Sequence, residues 1–229
     1  MRRGLVITMD GPSGSGKSTA ARGLARKLNF LYLDTGAMYR AVGLKALRAK
    51  VNLTDRAALT RLAGRTQISF KGHGDKVRVF LDGEEVTRSI RRPEVSEAAS
   101  KVAVVPGVRK ELVKQQQKIG RSGRIIAEGR DTGTVVFPQA ELKFFVTASL
   151  SERARRRYQE HKAAGHRISL DRMIRDLRRR DRRDRSRKVA PLKEAPGAIR
   201  IDNTRLQSGQ VLDTLIAYVQ RAKTHVSRS

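Results

Sequence analysis

Cysteine is absent from the 229 residues. Disulfides, thiolate nucleophiles and cysteine-based zinc sites are therefore excluded. Tryptophan is absent too, and aromatic residues make up only 4% of the chain. That counts against dedicated single-strand nucleic-acid binding, which relies on aromatic stacking. Histidine is scarce: His73, His161, His166 and His225 are scattered in sequence, suggest no metal cluster and are expected at the surface. Long apolar runs are missing. The longest are strand-sized pieces such as LVITM and FFVTA, too short to cross a bilayer. In MRRGLVITMDGPSG the basic residues precede an apolar patch too short for a signal peptide, so the expected location is the cytoplasm. Acidic residues are outnumbered, 22 against 50 lysines and arginines, for a formal net charge of +28.

What is present fits one soluble globular domain. The chain is 38% hydrophobic and 31% charged, and its length allows a full core. The excess charge attracts polyanions, RNA and nucleotides included. An arginine-rich proteome or a hot habitat would load the surface in the same way.

Leu5–Gly11 reads as a strand running into a glycine-rich turn, and Lys17–Leu28 as a helix. Phe30–Asp34 is a second strand. Ala37–Lys50 and residues 55–65 carry apolar residues at helical spacing. Gln67–Thr87 then alternates polar and apolar residues around glycine turns, the pattern of a β-hairpin in an inserted subdomain. Helices follow at 93–105 and 106–121, strands at 123–129 and 142–148, helices at 151–164 and 169–187, a fifth strand at 198–202 and a last helix at Gly209–Lys223. Five apolar strands separated by helices predict an α/β fold with a parallel sheet covered on both faces. No internal repeat is visible.

GPSGSGKST, Gly11–Thr19, fits G-x-x-x-x-G-K-[ST] between a strand and a helix. Its glycines let backbone N–H groups turn toward phosphate oxygens, and the helix N-terminus adds to the field. The loop (Gly11, Pro12, Ser13, Gly14, Ser15, Gly16, Lys17, Ser18, Thr19) is the expected site of ATP or GTP. Lys17 is expected at the β- and γ-phosphates, and Ser18 at Mg²⁺. The phosphate acceptor is not given by this loop. Asp34 and Glu128 end apolar strands, and neither makes a clean Walker B match.

Three further stretches, LDTGAMYR at 33–40, EGRDTGTVVFP at 128–138 and RDRRDRSRKVAPL at 180–192, follow the loop in order. Together the four motifs resemble the bacterial cytidylate kinases, which phosphorylate CMP and dCMP with ATP. The resemblance runs from Val6 to about Thr204. It implies a P-loop fold with a core at about 1–36, 105–150 and 190–229, a monophosphate-binding insertion at about 37–104 and a helical lid at about 151–189. It also implies a cytoplasmic monomer with Mg²⁺, small-molecule substrates, no specific nucleic acid and no membrane. By the same resemblance Asp34, Thr35 and Arg40 belong to the CMP site, with Arg40 and Arg130 on the phosphate. Asp131, Ser100 and Arg109 read the base, Arg180 and Asp184 meet the ribose, and Arg187 reaches toward the base. Glu128 stands where some members have Asp, and the arginine load exceeds what the family needs.

Helical spacing bears on LRRRDRRDRSRK, Leu177–Lys188, without reference to any family. Leu170, Ile174 and Leu177 share a face. Continued, that face meets Arg180 or Asp181, then Asp184, then Arg187, and the spacing i, i+4, i+7 selects Arg180, Asp184 and Arg187. Arg178, Arg179, Arg182, Arg183 and Arg185 lie largely elsewhere around the helix, where much of this charge is expected to be solvated or to steer phosphates. A nucleic-acid tail would have no hydrophobic face leading into it. Arg153 and Arg157, with Arg180, are candidates for the ATP side, and Lys17, Arg130 and Arg180 for stabilising the transferring phosphoryl group.

Other readings are a P-loop kinase for UMP or a non-nucleotide acid, a nucleic-acid-associated ATPase suggested by the charge, and a nucleotide-binding scaffold without catalysis. Ser100, Arg109 and Asp131 separate the first, the lack of stacking aromatics disfavours the second, and the intact Lys17 and Ser18 disfavour the third.

Overall fold

The computed structural model describes residues 4–72, 76–163, 165 and 168–226. His73, His166 and the side chain of His225 lie outside the described residues. Eight strands and eight helices are described. In chain order they are β1 (Val6–Asp10), α1 (Lys17–Leu28), β2 (Leu31–Asp34), α2 (Thr35–Arg48), α3 (Arg56–Gly64), β3 (Ile68–Lys71), β4 (Arg78–Leu81) and β5 (Glu84–Glu85). They continue with α4 (Pro93–Val102), α5 (Pro106–Ile119), β6 (Ile125–Gly129), β7 (Leu142–Thr147), α6 (Leu150–Ala163), α7 (Leu170–Arg185), β8 (Ile199–Asp202) and α8 (Ser208–Val226). Short turns of 3-10 and π type occupy Ser89–Arg91 and Thr132–Val136.

Five strands form a parallel sheet in the order β2-β6-β1-β7-β8. Every residue of β1 and β6 is buried, so these two central strands read as continuous apolar runs rather than alternating ones. β8 lies at an edge and is only partly covered. Ile7 pairs with Leu142 and Asp10 with Phe145, while Phe144 pairs with Ile199 and Thr147 with Asp202. The parallel register sets the carboxyl ends of β1 and β7 side by side, where ligands sit in open parallel sheets.

The chain divides into two compact units, Met1–Val6 with Ala25–Ala127, and Ile7–Leu24 with Glu128–Ser229. In the first, Asp34 caps α2 by accepting from Ala37 N, and Asp55 caps α3 by accepting from Ala58 N. Proline opens α4 and α5, where its missing N–H costs nothing. α2 packs on α4, and α3 on α5. β3, β4 and β5 form a separate antiparallel sheet. The sequence predicts a hairpin there, and the structure adds the two-residue β5 as a third strand.

In the second unit, α6 packs on α7 through Ala154, Met173 and Leu177, with Leu150, Ile168 and Ile174 around them. Ser169 caps α7. The buried stripe of α7 is Met173, Leu177, Asp181 and Asp184. This corrects the phase expected from Leu170, Ile174 and Leu177. Leu170 is 41% exposed, so Met173 sets the phase, and the inward position after Leu177 is Asp181. Arg180 is exposed, as are Arg178, Arg179, Arg182, Arg183 and Arg185.

Candidate active site

The loop Gly11–Gly16 joins β1 to α1 and delivers Lys17 as the first residue of the helix. Its shape is held from behind by side chains far away in sequence. The Asn203 Nδ2 donates to Ser15 O at 2.8 Å. Gly16 has φ +87, and a Cβ there would lie 2.3 Å from Asn203 Nδ2, so only glycine allows this approach. Arg156 secures the far side of the brace, donating to Asn203 O at 2.7 Å and to Glu152 at 2.7 Å. Arg153 donates to Ser13 O at 3.2 Å, to Ala148 O at 3.0 Å and to Asp181 Oδ2 at 2.7 Å. Arg156 and Asn203 carry no motif, and Asp181 appears in the sequence only as the alternative to Arg180, so their three-dimensional proximity reveals this brace.

Lys17 is buried. Its ammonium donates to Pro12 O at 3.2 Å and lies 3.3 Å from Glu128 Oε1, at the end of β6. Burial pulls the ammonium down to about 8, and the charges of Arg130 and Arg180 push the same way against the Glu128 carboxylate. Three cations thus act on one space beside the loop. Glu128 and Asp184 offset part of their mutual repulsion.

Arg130 follows β6. Its Nε donates to Asp184 Oδ2 at 2.9 Å, and Nη1 to Gly129 O at 3.2 Å. Arg187 donates to the other oxygen of Asp184. Burial opposes the charge on Asp184, but Arg130, Arg187 and Arg180 outweigh it and hold the carboxyl below the usual carboxylate range. Arg130, Asp184 and Arg187 are therefore one cluster, with Arg180 close enough to act on both Asp184 and Lys17. Asp131 is buried beside Arg130. Arg157 is engaged by Glu160, in contrast to Arg153, whose guanidinium is spent on the loop backbone and α7.

The first unit gathers its own expected residues around the start of α2. Asp34 Oδ2 accepts from Arg40 Nη2 at 2.7 Å while Oδ1 caps the helix. Thr35 is buried at the first position of α2. Arg109 on α5 is 3% exposed, donates to Ala103 O at 3.1 Å and lies 5.3 Å over the Tyr39 ring. Its charge is thereby retained inside the fold by a cation–π contact. Tyr39 is not singled out by sequence, although it sits inside the LDTGAMYR motif. Ser100 on α4 is half-buried and donates to Ser96 O at 3.2 Å.

Comparisons with known proteins agree with this arrangement of motifs. The cytidylate kinase family model matches residues 7–221. The cytidylate kinase of Desulforamulus reducens is 48% identical over 95% of this chain and 97% of its own, and that of Bacillus velezensis 44% over 96% and 99%. A bifunctional pantoate ligase/cytidylate kinase of a Synechococcus strain is 49% identical over 92% of this chain. The match spans only 40% of that longer protein. Among solved structures, a shikimate kinase from Bacteroides thetaiotaomicron aligns with a TM-score of 0.49 at 13% identity, over 94% of this chain and 98% of that one. With the phosphate loop, the Arg130–Asp184–Arg187 cluster and a family match over almost its full length, the chain belongs to the cytidylate kinase family.

Proposed function

We propose that this protein transfers the γ-phosphoryl group of ATP to CMP and dCMP, giving CDP or dCDP and ADP. One observation carries the reading beyond the family match. Arg130 and Arg180 act electrostatically on Lys17 beside a phosphate loop, and with Glu128 and Asp184 offsetting only part of that charge, arriving phosphates would meet a cluster of cations. The acceptor phosphate is mostly dianionic at neutral pH, its second pKa lying near 6. It attacks the γ-phosphorus directly, and its proton balance needs no histidine base.

Gly11–Thr19 holds the ATP phosphates, with Lys17 on the β- and γ-oxygens. Ser18, near the start of α1, is half-buried, and no protein hydrogen bond engages its hydroxyl among the described residues. That oxygen suits Mg²⁺, which takes few protein ligands and keeps waters and phosphates. Ser18 would hold Mg²⁺ there, and the ion would supply positive charge to the ATP phosphates. Arg180 and Arg130 stabilise the transferring group. Toward CMP, the family resemblance assigns Asp34, Thr35, Arg40, Ser100, Arg109, Arg130, Asp131, Arg180, Asp184 and Arg187. Arg157 serves the ATP side, and Arg153 serves it through Ser13 O. Residues 37–104 act as the monophosphate-binding insertion and 151–189 as the lid, whose closure excludes water. Among the described residues no helix is long and apolar enough to cross a membrane, and the protein works as a cytoplasmic monomer.

A coupled assay of ADP formation from ATP across CMP, dCMP, UMP, AMP and GMP tests the reading. CMP and dCMP are expected to give kcat/KM at least ~10²-fold above AMP and GMP, the range expected when base-edge donors and acceptors are matched. Equal rates with every monophosphate, or ATP hydrolysis without an acceptor, would overturn it.

A further inference from the structure

A helical turn begins with N–H groups that lack partners inside the turn. The π turn Thr132–Val136 begins directly after Arg130 and Asp131. Asp131 stands at its cap position and belongs to a residue type that caps well, yet its side chain makes no capping hydrogen bond. The donors go to a different carboxylate. Asp10 Oδ1 accepts from Thr132 N and from Thr132 Oγ1, both at 2.9 Å, and Asp10 Oδ2 accepts from Gly133 N at 2.8 Å. Asp10 is 3% exposed, ends β1, and precedes Thr132 by 122 residues. The contact leaves no spare room. A Cβ on Gly133 would lie 2.8 Å from Thr8 Oγ1 and 3.2 Å from the Ala195 Cβ, so either the turn or these neighbours would have to shift.

We infer that Asp10 is a positioning residue. It caps the π turn from a neighbouring strand and so fixes the backbone that aims Arg130 and Asp131. Capping is a local task that Asp131 would ordinarily perform for itself. Because Asp10 performs it, the Asp131 carboxylate is not consumed by its own turn. Asp10 itself touches no substrate in this assignment. The consequence for catalysis rests on the proposed role of Arg130 and Asp131 toward CMP, whereas the capping itself does not.

The test uses Asp10→Asn, Gly133→Ala and Thr132→Val in the full chain. Asn keeps one acceptor oxygen but turns an NH₂ group toward the second amide. For Asp10→Asn the KM for CMP is expected to rise ~10- to 100-fold, the scale of losing hydrogen bonds to a charged acceptor. The KM for ATP should stay within about 2-fold, because the loop braces at Ser13 O and Ser15 O remain. Gly133→Ala perturbs the clamp without altering Asp10 and should show the same split, which keeps the test open if Asp10→Asn folds poorly. Thr132→Val loses only the hydroxyl donor and should change the KM for CMP by less than about 3-fold. Amide hydrogen exchange gives a readout independent of any substrate. Exchange at whichever of the Thr132 and Gly133 amides faces the new NH₂ group should accelerate at least ~10-fold in Asp10→Asn, the loss of one protecting bond to a charged acceptor. Equal rises in both KM values, or a lower melting temperature with both KM values unchanged, overturn the positioning role. Unchanged amide exchange overturns the clamp, whatever the acceptor proves to be. A wild-type enzyme inactive on CMP but with the exchange difference intact would count against the proposed reaction alone.

Discussion

Lys17 illustrates how a buried charge stores a preference for its ligand. Burial and the Arg130 and Arg180 charges draw its ammonium down to about 8, while a lysine in water titrates near 10.5. The unfolded chain therefore binds more protons than the folded one between about pH 8 and 10.5, and the free protein should gain stability as pH rises through that window. ATP reverses the local balance, because phosphate oxygens favour the ammonium. At pH 8 the free side chain is about half protonated, so ATP binding should take up ~0.5 proton. Calorimetric titration in two buffers of different ionisation heat measures this, and proton release or no exchange would contradict it. Lys17→Ala should lower kcat at least ~10²-fold, the scale of one strong transition-state contact. A folded Lys17→Ala protein with near-wild-type turnover would refute the assignment of this loop. Arg109 has a separate test. Arg109→Met should reduce the preference for CMP over AMP and GMP, and an unchanged preference would show that this residue does not read the base.

The helix α7 carries two buried carboxylates, each anchored to an arginine of another element. Asp181 meets Arg153 of α6, and Asp184 meets Arg130 after β6 as well as Arg187. Removing one partner strands the other. Arg153→Met or Asp181→Asn should each cost about 3–5 kcal/mol in denaturant unfolding, and the double variant Arg153→Met/Asp181→Leu should recover most of it. Additive losses would mean that the pair is not coupled. Activity separates the residues that act on the Arg130–Asp184 cluster from the other charges of this segment. Arg180→Ala, Asp184→Ala and Arg187→Ala should each lower kcat/KM for CMP at least ~10-fold. Arg179→Ala and Arg183→Ala, on solvent-facing positions, should stay within about 2-fold. If α7 contributed charge alone, Asp184→Ala would raise CMP turnover, so the sign of that effect decides. About 0.15 M salt is appropriate, since exposed charges are screened beyond roughly 8 Å there. Much of this element was legible beforehand. The Lys17–Leu28 helix and the strand pattern follow from apolar periodicity, and the loop follows from its glycine spacing. Asp184 and the outward arginines follow from helical period. Asp181 is only an alternative on the helical period because Leu170, which is exposed, shifts the apparent phase away from Met173. The π turn and its cap had no readable signal. Five residues are too few to show a period, and the carboxylate that caps them lies 122 positions away.

At the scale of the molecule the net charge of +28 predicts nonspecific attraction to polyanions, separate from turnover. Binding to a homopolymeric RNA should be measurable at about 0.05 M salt and fall steeply by about 0.2 M, as counterion release requires. CMP turnover should change far less over the same range. Parallel losses of both would point back to a polyanion-driven ATPase. The same long-range architecture bears on how the chain comes to be folded. β1 ends at Asp10, yet its neighbour β7 begins only at Leu142. The loop carbonyl of Ser13 waits for a guanidinium 140 residues later, and that of Ser15 for a carboxamide 188 residues later. Such separations make the late steps slow, because long loops must close before their contacts repay the lost entropy. The phosphate loop thus precedes in chain order the residues that brace it. A chain synthesised only as far as residue 202 would carry the nucleotide-binding sequence without the Asn203 support of Ser15 O, so its loop should bind nucleotide more weakly than that of the finished fold.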